Sequence, residues 1–83
     1  MSKSWYVYIL LCGDGSYYTG ITTDVQRRLE THKKGKGAKY TRGRGPLTLL
    51  YVETLPNKSE ALKREYRIKQ LSKKKKTELI KSV

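Results

Sequence analysis

The amino-acid sequence predicts an α+β fold in which the elements follow the order strand, strand, helix, strand, helix, helix. Two aromatic and aliphatic runs, Trp5 to Cys12 and Tyr17 to Ile21, flank a turn-forming segment and predict a hairpin. Later segments begin with residues that commonly cap helices, and no internal repeat or linker separates them. Antiparallel strands with helices added outside the hairpin are typical of the α+β class.

The hairpin distributes its side chains over two faces of the sheet. Gly13-Asp14-Gly15-Ser16 supplies the turn. Residues alternate between faces along a strand, and both faces of the first strand are largely apolar, which indicates cover on both sides. Tyr8 and Tyr18 lie on adjacent strands and are candidates for the same face. Gly20 shares the face of Tyr18, and its missing side chain allows another backbone or a ligand to approach closely.

The first helix is predicted to run from about Asp24 to about Lys34. Thr23 and Gln26 have the spacing of a capping box, and an acidic residue suits the first turn. The glycines of Gly35-Lys36-Gly37 end this helix. A basic loop from Lys39 to Pro46 follows.

The second half of the chain is predicted to hold one strand and two helices. Leu47 to Thr54 forms the third strand. Asn57 caps the second helix, which ends at about Leu71. Ser72 caps a short final helix that ends at about Ile80.

A strong positive charge predicts a polyanionic partner. The chain has 83 residues, so one domain is expected, and its net charge is +12 from 19 Lys and Arg against 7 Asp and Glu. Clustered cations indicate nucleic acid, while a solvated basic surface and an anionic membrane are the alternatives. The residues expected to contact phosphates are Lys33, Lys34, Lys36, Lys39, Arg42, Arg44, Lys73, Lys74, Lys75 and Lys76.

Several classes of protein are excluded by composition. No apolar run approaches the ~20 residues that span a bilayer, and the N-terminus lacks the pattern of a signal peptide. Cys12 is the only cysteine, which rules out an internal disulfide and a cysteine-based zinc site. We expect Cys12 to be a buried strand residue in a protein of the reducing cytoplasm.

Glu65 interrupts the apolar stripe of the second helix. Ala61, Leu62, Ile68 and Leu71 form this stripe at helical spacing, and Glu65 lies in its middle. An unpaired carboxylate in such a place would cost several kcal/mol or become protonated. Either a divalent metal or a buried Arg or Lys partner must compensate it.

Four other residues have side chains suited to phosphate chemistry. Arg28 and His32 are one helical turn apart, so their side chains meet. Arginine matches two phosphate oxygens, and histidine moves protons near neutral pH. Tyr8 and Tyr18 are poor bases with a pKa of about 10, unless a cation or a histidine helps them lose a proton. Helix surface for His32 and aromatic core packing for the tyrosines are the alternatives.

Five sequence features occur together in a specific order. They are Tyr6-Val7-Tyr8, Tyr18-Thr19-Gly20, Arg28, His32 and Glu65. In this order and spacing, the chain resembles the GIY-YIG nuclease domain over nearly its whole length. It is most similar to the small stand-alone bacterial members, with Gly35 to Arg42 as a further shared signature. The resemblance implies a three-stranded antiparallel sheet flanked by helices.

The resemblance also implies a role for each candidate residue. The tyrosines matching Tyr8 and Tyr18 serve as base or positioning groups. The arginine matching Arg28 holds the phosphate, and the histidine matching His32 assists proton transfer. The glutamate matching Glu65 binds one divalent metal, Mg²⁺ or Mn²⁺, which favours the metal over the ion pair for this carboxylate.

The function implied is metal-dependent endonuclease hydrolysis, on DNA rather than RNA. Tyr6 replaces the first glycine of the motif. The asparagine that several family nucleases use late in the domain has no match, since Asn57 precedes Glu65. This missing asparagine, and the expected lack of the second DNA-binding domain that is usual in the family, favour an alternative, a nucleic-acid-binding module with weak or no cleavage. In a third possibility, a protein partner supplies the specificity.

Overall fold

The computed structural model describes residues 4–82 and confirms the predicted element order. Its elements are β1 (Trp5–Leu11), β2 (Tyr17–Thr22), α1 (Val25–Lys33), a 3₁₀ turn (Lys39–Thr41), β3 (Thr48–Leu55), α2 (Lys58–Gln70) and α3 (Lys73–Lys81). The 3₁₀ turn lies within the segment that was predicted to be an irregular basic loop. Among the described residues, no helix is long and apolar enough to cross a membrane.

The three strands form one antiparallel sheet with β1 in the centre. The strand order is β2-β1-β3, and β1 pairs antiparallel with both neighbours. In the hairpin Tyr8 faces Gly20 and Leu10 faces Tyr18. Tyr8 and Tyr18 are therefore diagonal neighbours, and they lie on one face of the sheet, as the alternation predicted.

Each face of the sheet has its own buried core, so the predicted cover on both sides is confirmed. On one face α2 contributes Ala61 and Ile68 to a cluster with Val7 and Ile9 of β1. The residues of the cluster on the other face are Tyr8, Leu10, Cys12, Leu47 and, from α1, the partly buried Leu29. Cys12 is a free buried cysteine, as expected.

The hairpin turn is held by contacts from distant parts of the chain. Asp14 Oδ1 accepts hydrogen bonds from the backbone N–H of Ser16 at 3.0 Å and from its hydroxyl at 2.6 Å. Arg44 forms an ion pair with Asp14, and Lys73 Nζ donates to the Gly15 carbonyl at 2.7 Å. Arg44 and Lys73 therefore have structural contacts in addition to their positive charges.

The helix caps agree with prediction at two helices and differ at the first. The side chains of Asn57 and Ser72 cap α2 and α3, as expected. At α1 the cap is Asp24, whose carboxylate accepts from the Arg27 N–H at 3.1 Å, so the predicted Thr23–Gln26 capping box is wrong. The helix begins one residue later because the Asp24 carboxylate takes the exposed N–H group of the first turn.

Candidate active site

A buried hydrogen bond joins Tyr8 of β1 to His32 of α1. The Tyr8 hydroxyl lies 2.8 Å from His32 Nε2, and the two residues are 2% and 1% exposed. The phenol crosses Gly20 on the neighbouring strand, where an added Cβ would lie 2.5 Å from the hydroxyl oxygen. The close approach predicted at Gly20 is real, but the approaching group is a side chain of the same sheet rather than a backbone or a ligand.

The other side of the His32 ring faces the segment that follows α1. His32 Nδ1 lies 2.9 Å from Thr41 Oγ1, and Thr41 is 2% exposed. The Thr41 hydroxyl lies 2.9 Å from the Ala38 carbonyl, to which it can donate. The Gly37 backbone is so close to the imidazole that a Cβ there would overlap the ring. His32 is thus enclosed, and the surface position considered for it is wrong.

Tyr18 packs beside this pair. Its ring centroid lies 6.3 Å from that of Tyr8 and 5.2 Å from that of His32, with an edge-on arrangement to the imidazole. On its outer side Tyr18 stacks on the 43% exposed Tyr40, with centroids 6.0 Å apart. The Arg44 guanidinium lies over the Tyr40 ring at 4.3 Å. A ladder of rings therefore leads from the buried pair to the surface.

Arg28 and Glu65 both influence the pKa of Tyr8. Burial raises the pKa of Tyr8 to about 12. The Arg28 guanidinium opposes this increase, whereas the Tyr18 hydroxyl and the Glu65 carboxylate add to it. Burial and the Arg28 charge both lower the pKa of His32. Charges on α1 and α2 thus act on the same hydroxyl, although the two helices cover opposite faces of the sheet.

Three of the predicted site residues, Arg28, Tyr18 and His32, each line a different hollow of the surface. Arg28 lines a groove of about 560 Å³ with Tyr6, Asp24 and Arg27. Tyr18 lines a cleft of about 310 Å³ whose other lining residues are Tyr17, Thr19, Tyr40, Lys69 and Lys76. His32 lines a pocket of about 130 Å³ beneath the basic loop. The three hollows differ in charge and aromatic content.

Glu65 is partly buried on α2, with an ion-pair partner on its own helix. Its side chain is 19% exposed, and its carboxylate lies 3.5 Å from Lys69 Nζ. Ala61 and Ile68, which flank it on the stripe, are fully buried, but Leu62 is 46% exposed, so its assignment to the stripe is wrong. Among residues 4–82, no group of three or more His, Cys, Asp or Glu side chains could hold a metal.

A single carboxylate fits only one kind of metal site. Mg²⁺ keeps several waters and is commonly held by one or two carboxylates together with phosphate oxygens of the substrate. Glu65 can serve as that carboxylate when nucleic acid supplies the remaining oxygens. Its contact with Lys69 is long, and the lysine is half exposed, so the ion pair is a weak competitor.

Most of the predicted phosphate-contacting residues lie on the surface. The exposed ones are Lys33, Lys34, Lys36, Lys39, Arg42, Lys73, Lys74 and Lys75. Arg44 and Lys76 are half-buried; Arg44 contacts Asp14 and Tyr40, and Lys76 lines the cleft beside Tyr18. Arg44 and Lys76 therefore lie beside the aromatic ladder.

Three residues near the pair had no role in the sequence-based prediction. Thr41 contacts the imidazole, Gly37 leaves room for it, and Tyr40 extends the ring ladder. All three belong to the shared signature from Gly35 to Arg42. That signature indicated their importance, but sequence spacing alone could not say that this segment folds back onto His32.

Known proteins with similar sequences and structures form one group. A UPF0213 protein of Halobacterium salinarum is 64% identical over 67 residues, which are 81% of this chain and 87% of that protein. One from Oceanobacillus iheyensis is 58% identical over 80 residues, which are 96% of this chain and 93% of the relative. The solution NMR structure of a UPF0213 protein from Bacillus halodurans has 56% identity and a TM-score of 0.61, covering 94% of this chain and 83% of that one.

A second NMR structure, of a protein from E. faecalis, has 44% identity and a TM-score of 0.67, covering 98% of this chain and 86% of that chain. The family model described as the GIY-YIG catalytic domain matches residues 4–78. This match spans both tyrosine motifs, α1 and the helix that carries Glu65. The chain therefore belongs to the GIY-YIG catalytic domain family.

Proposed function

We propose that this protein is a metal-dependent endonuclease that hydrolyses phosphodiester bonds of DNA. The family is one of endonucleases, which supports a nucleic-acid substrate. The observation that carries the proposal is the buried 2.8 Å hydrogen bond between Tyr8 and His32, within electrostatic range of Arg28. A proton donor and acceptor held together beside a guanidinium suit attack of water on a phosphate.

The tyrosine and the histidine act as a pair. With a pKa of about 12, Tyr8 is a weak acid and cannot hold a negative charge unaided at neutral pH. His32 is neutral there, because its pKa is lowered, and in the tautomer with its proton on Nδ1 the Nε2 atom can accept the phenolic proton. We therefore assign Tyr8 as the group that deprotonates the attacking water, with His32 as the proton acceptor. Tyr18 positions both rings by packing against them.

Arg28 couples substrate binding to this proton transfer. Its guanidinium favours the phenolate of Tyr8 but disfavours the imidazolium of His32, since it lowers the pKa of both groups. A phosphate bound by the guanidinium neutralises that charge. The pKa values of His32 and Tyr8 then both rise, so a bound substrate makes His32 a better proton acceptor and Tyr8 a weaker acid.

Glu65 is the proposed metal ligand, and the nucleic acid completes the site. A bound Mg²⁺ or Mn²⁺ would stabilise negative charge on the phosphoryl oxygens as a Lewis acid. The Glu65 carboxylate helps to raise the pKa of Tyr8, and we propose that the carboxylate and the base act on the same phosphate. Because only one carboxylate is available, we expect weak metal binding in the absence of nucleic acid.

The basic surface supports the choice of nucleic acid. Exposed lysines on the loop after α1 and on α3 can neutralise several phosphates. The cleft lined by Tyr18, Tyr40, Lys69 and Lys76 combines aromatic rings with cations, a combination that recurs where proteins hold nucleic-acid strands. We propose that one domain combines this binding surface with the chemistry of cleavage.

A binding module that cleaves weakly or not at all is the second candidate. The observation that favours it is the contact between Glu65 and Lys69, which gives the carboxylate a partner without any metal. Such a protein would bind nucleic acid through the same lysines. A protein partner could then supply the catalytic function.

A cleavage assay with matched variants distinguishes the two candidates. Labelled branched, nicked, single-stranded and duplex DNA, and RNA of the same sequence, are incubated with Mg²⁺ or Mn²⁺. For a nuclease, Glu65→Gln should reduce the cleavage rate by roughly 100-fold or more, while affinity measured without metal stays within about twofold. Glu60→Gln is the control, because Glu60 forms an equal 3.5 Å pair with Lys63 on the exposed part of α2.

Two outcomes would contradict the endonuclease proposal. The first is binding of every substrate with cleavage of none of them by the wild-type protein, under either metal. The second is equal cleavage by the wild type and by Glu65→Gln, which would leave Glu65 as an ordinary member of an ion pair.

A further inference from the structure

Thr41 closes a chain of hydrogen bonds that begins at Tyr8. The chain runs from the Tyr8 hydroxyl to His32 Nε2 at 2.8 Å, from Nδ1 to Thr41 Oγ1 at 2.9 Å, and from that oxygen to the Ala38 carbonyl at 2.9 Å. A carbonyl can only accept, and the threonine hydroxyl has one proton. If this proton goes to Ala38, then Oγ1 accepts the hydrogen bond from Nδ1–H, and Nε2 has no proton.

The opposite assignment leaves a buried donor without a partner. If Nδ1 accepted from Thr41, Nε2–H would point at the Tyr8 oxygen, and the phenolic proton would need another acceptor. Among residues 4–82, the structure shows no hydrogen-bond acceptor for the Tyr8 hydroxyl other than His32. A buried unsatisfied donor costs about 1–3 kcal/mol. The competing contact, from the Ala38 N–H to Nδ1, is long at 3.4 Å, and Ala38 is only partly buried.

The residues packed around the His32 imidazole hold the ring in one orientation. Gly37 lies against one edge of the ring, and Tyr8 and Tyr18 pack edge-on at centroid distances of 5.8 and 5.2 Å. Thr41 is itself fixed, because it ends the 3₁₀ turn and its backbone N–H also donates to the Ala38 carbonyl at 3.1 Å. The direction of the hydrogen bond from Nδ1 therefore depends on one rigid hydroxyl.

We infer that Thr41 is a positioning residue that fixes His32 in the Nδ1–H tautomer and leaves Nε2 free to accept the Tyr8 proton. Thr41 touches neither the phosphate nor the water in this scheme; it acts through the histidine. The consequence for cleavage rests on the proposed function. The tautomer of His32 does not depend on the proposed function, and it can be measured on the free protein.

Nitrogen NMR of the single histidine tests the inference. His32 is the only histidine of the chain, so ¹⁵N-labelled histidine gives one pair of ring signals. At a pH where the ring is neutral, we expect a protonated Nδ1 and an unprotonated Nε2 in the wild type. Thr41→Ser, which keeps the hydroxyl, should preserve this pattern. Thr41→Val, which keeps the shape without the hydroxyl, should shift the signals towards the Nε2–H tautomer.

Cleavage kinetics provide the second readout. Thr41→Val should lower kcat by up to roughly 100-fold with unchanged DNA affinity, and Thr41→Ser should restore most of it. A wild-type ring protonated at Nε2 overturns the inference, even if Thr41→Val fails to fold. A folded Thr41→Val protein with the wild-type tautomer also overturns it. If the tautomer is as expected but no substrate is cleaved, the inference on Thr41 holds and the endonuclease proposal fails.

Discussion

Two glycines determine whether the buried Tyr8–His32 pair can form. Gly20 lies under the phenol and Gly37 against the imidazole, and a methyl group at either position would overlap a ring. Neither glycine has a positive φ. Their importance is therefore the space they leave for side chains of other elements, and any larger residue would separate donor from acceptor.

The variant Gly37→Ala tests whether the space beside the His32 ring is needed. We expect a loss of about 1–3 kcal/mol in the free energy of unfolding, because the added methyl overpacks a buried site. The signals of His32 should also shift in NMR spectra. The control is Gly45→Ala, where an added Cβ meets nothing within 4 Å. Equal urea midpoints for the two variants would mean that the loop can move away from His32 without cost.

His32 should make the fold sensitive to acid. Its pKa in the folded state is lowered by burial and by Arg28, whereas in the unfolded chain it is about 6.5. The unfolded chain therefore binds the proton more readily. Stability is fully present above about pH 6.5 and falls as the pH drops below it, by up to about 1.4 kcal/mol per pH unit.

Urea unfolding between pH 7.5 and pH 5 measures this loss of stability. Since His32 is the only histidine, His32→Gln should remove the dependence on pH in this range. A wild-type protein that is as stable at pH 5.5 as at pH 7 would contradict the lowered pKa.

At the scale of single residues, the sequence predicted which side chains matter better than it predicted their contacts. Alternation along the strands placed Tyr8 and Tyr18 on one face, and helical spacing placed His32 beside Arg28. The Tyr8–His32 bond depends instead on the exact crossing of β1 and α1, which no local pattern encodes. Thr41 was missed for the same reason, since a loop has no periodicity to indicate which way its side chains point.

At the scale of elements, the loop after α1 has two kinds of basic residue. Lys39 and Arg42 are exposed, whereas Arg44 is half-buried between Asp14 and Tyr40. Replacing Lys39, Arg42 and Arg44 together would therefore remove phosphate contacts and structural contacts at the same time. The two effects can be separated by leaving Arg44 in place.

Lys39→Ala combined with Arg42→Ala should weaken DNA binding without lowering stability. Each lost phosphate contact reduces the slope of log affinity against log salt by about 0.9 on duplex DNA. Affinity measured between 50 and 200 mM salt gives this slope. Arg44→Ala is the comparison, and it should lower the unfolding free energy by up to about 1 kcal/mol. An unchanged slope for the double variant would place the DNA elsewhere.

The boundaries of elements followed from local signals where one residue was clearly the best cap. Asn57 and Ser72 had no competitor, and both were predicted correctly. Before α1, Thr23 and Asp24 are adjacent capable caps, so the choice depended on the geometry of the chain leaving β2. Leu62 was assigned to the apolar stripe, yet it is exposed, because consecutive residues lie about 100° apart around a helix and Ala61 takes the buried position.

At the scale of the whole molecule, the net charge of +12 acts against the folded state. Like charges repel more strongly in a compact chain than in an extended one. Salt screens this repulsion, and a bound polyanion removes part of it.

We expect opposite effects of salt on the free and the DNA-bound protein. The melting temperature of the free protein should rise between 20 and 200 mM NaCl, an interval over which the screening length shortens by roughly threefold. With DNA at about 100 times Kd in low salt, stability should increase by about 2.7 kcal/mol, and this gain should shrink as salt is added. Differential scanning calorimetry of the free and the DNA-bound protein at each salt concentration measures both effects. Equal shifts with and without DNA would show that the charge has no part in binding.

The two faces of the sheet carry different parts of the proposed site. The proposed proton-handling residues, Tyr8 and His32, come from β1 and α1, whereas Glu65 comes from α2, which closes the Val7–Ile9 core on the other face. A partial opening that lifts α2 and α3 would expose that core and withdraw the carboxylate in one step. If the protein is the proposed endonuclease, a molecule opened in this way would hold a strand without cutting it, and its cleavage rate would depend on how often α2 separates from the sheet.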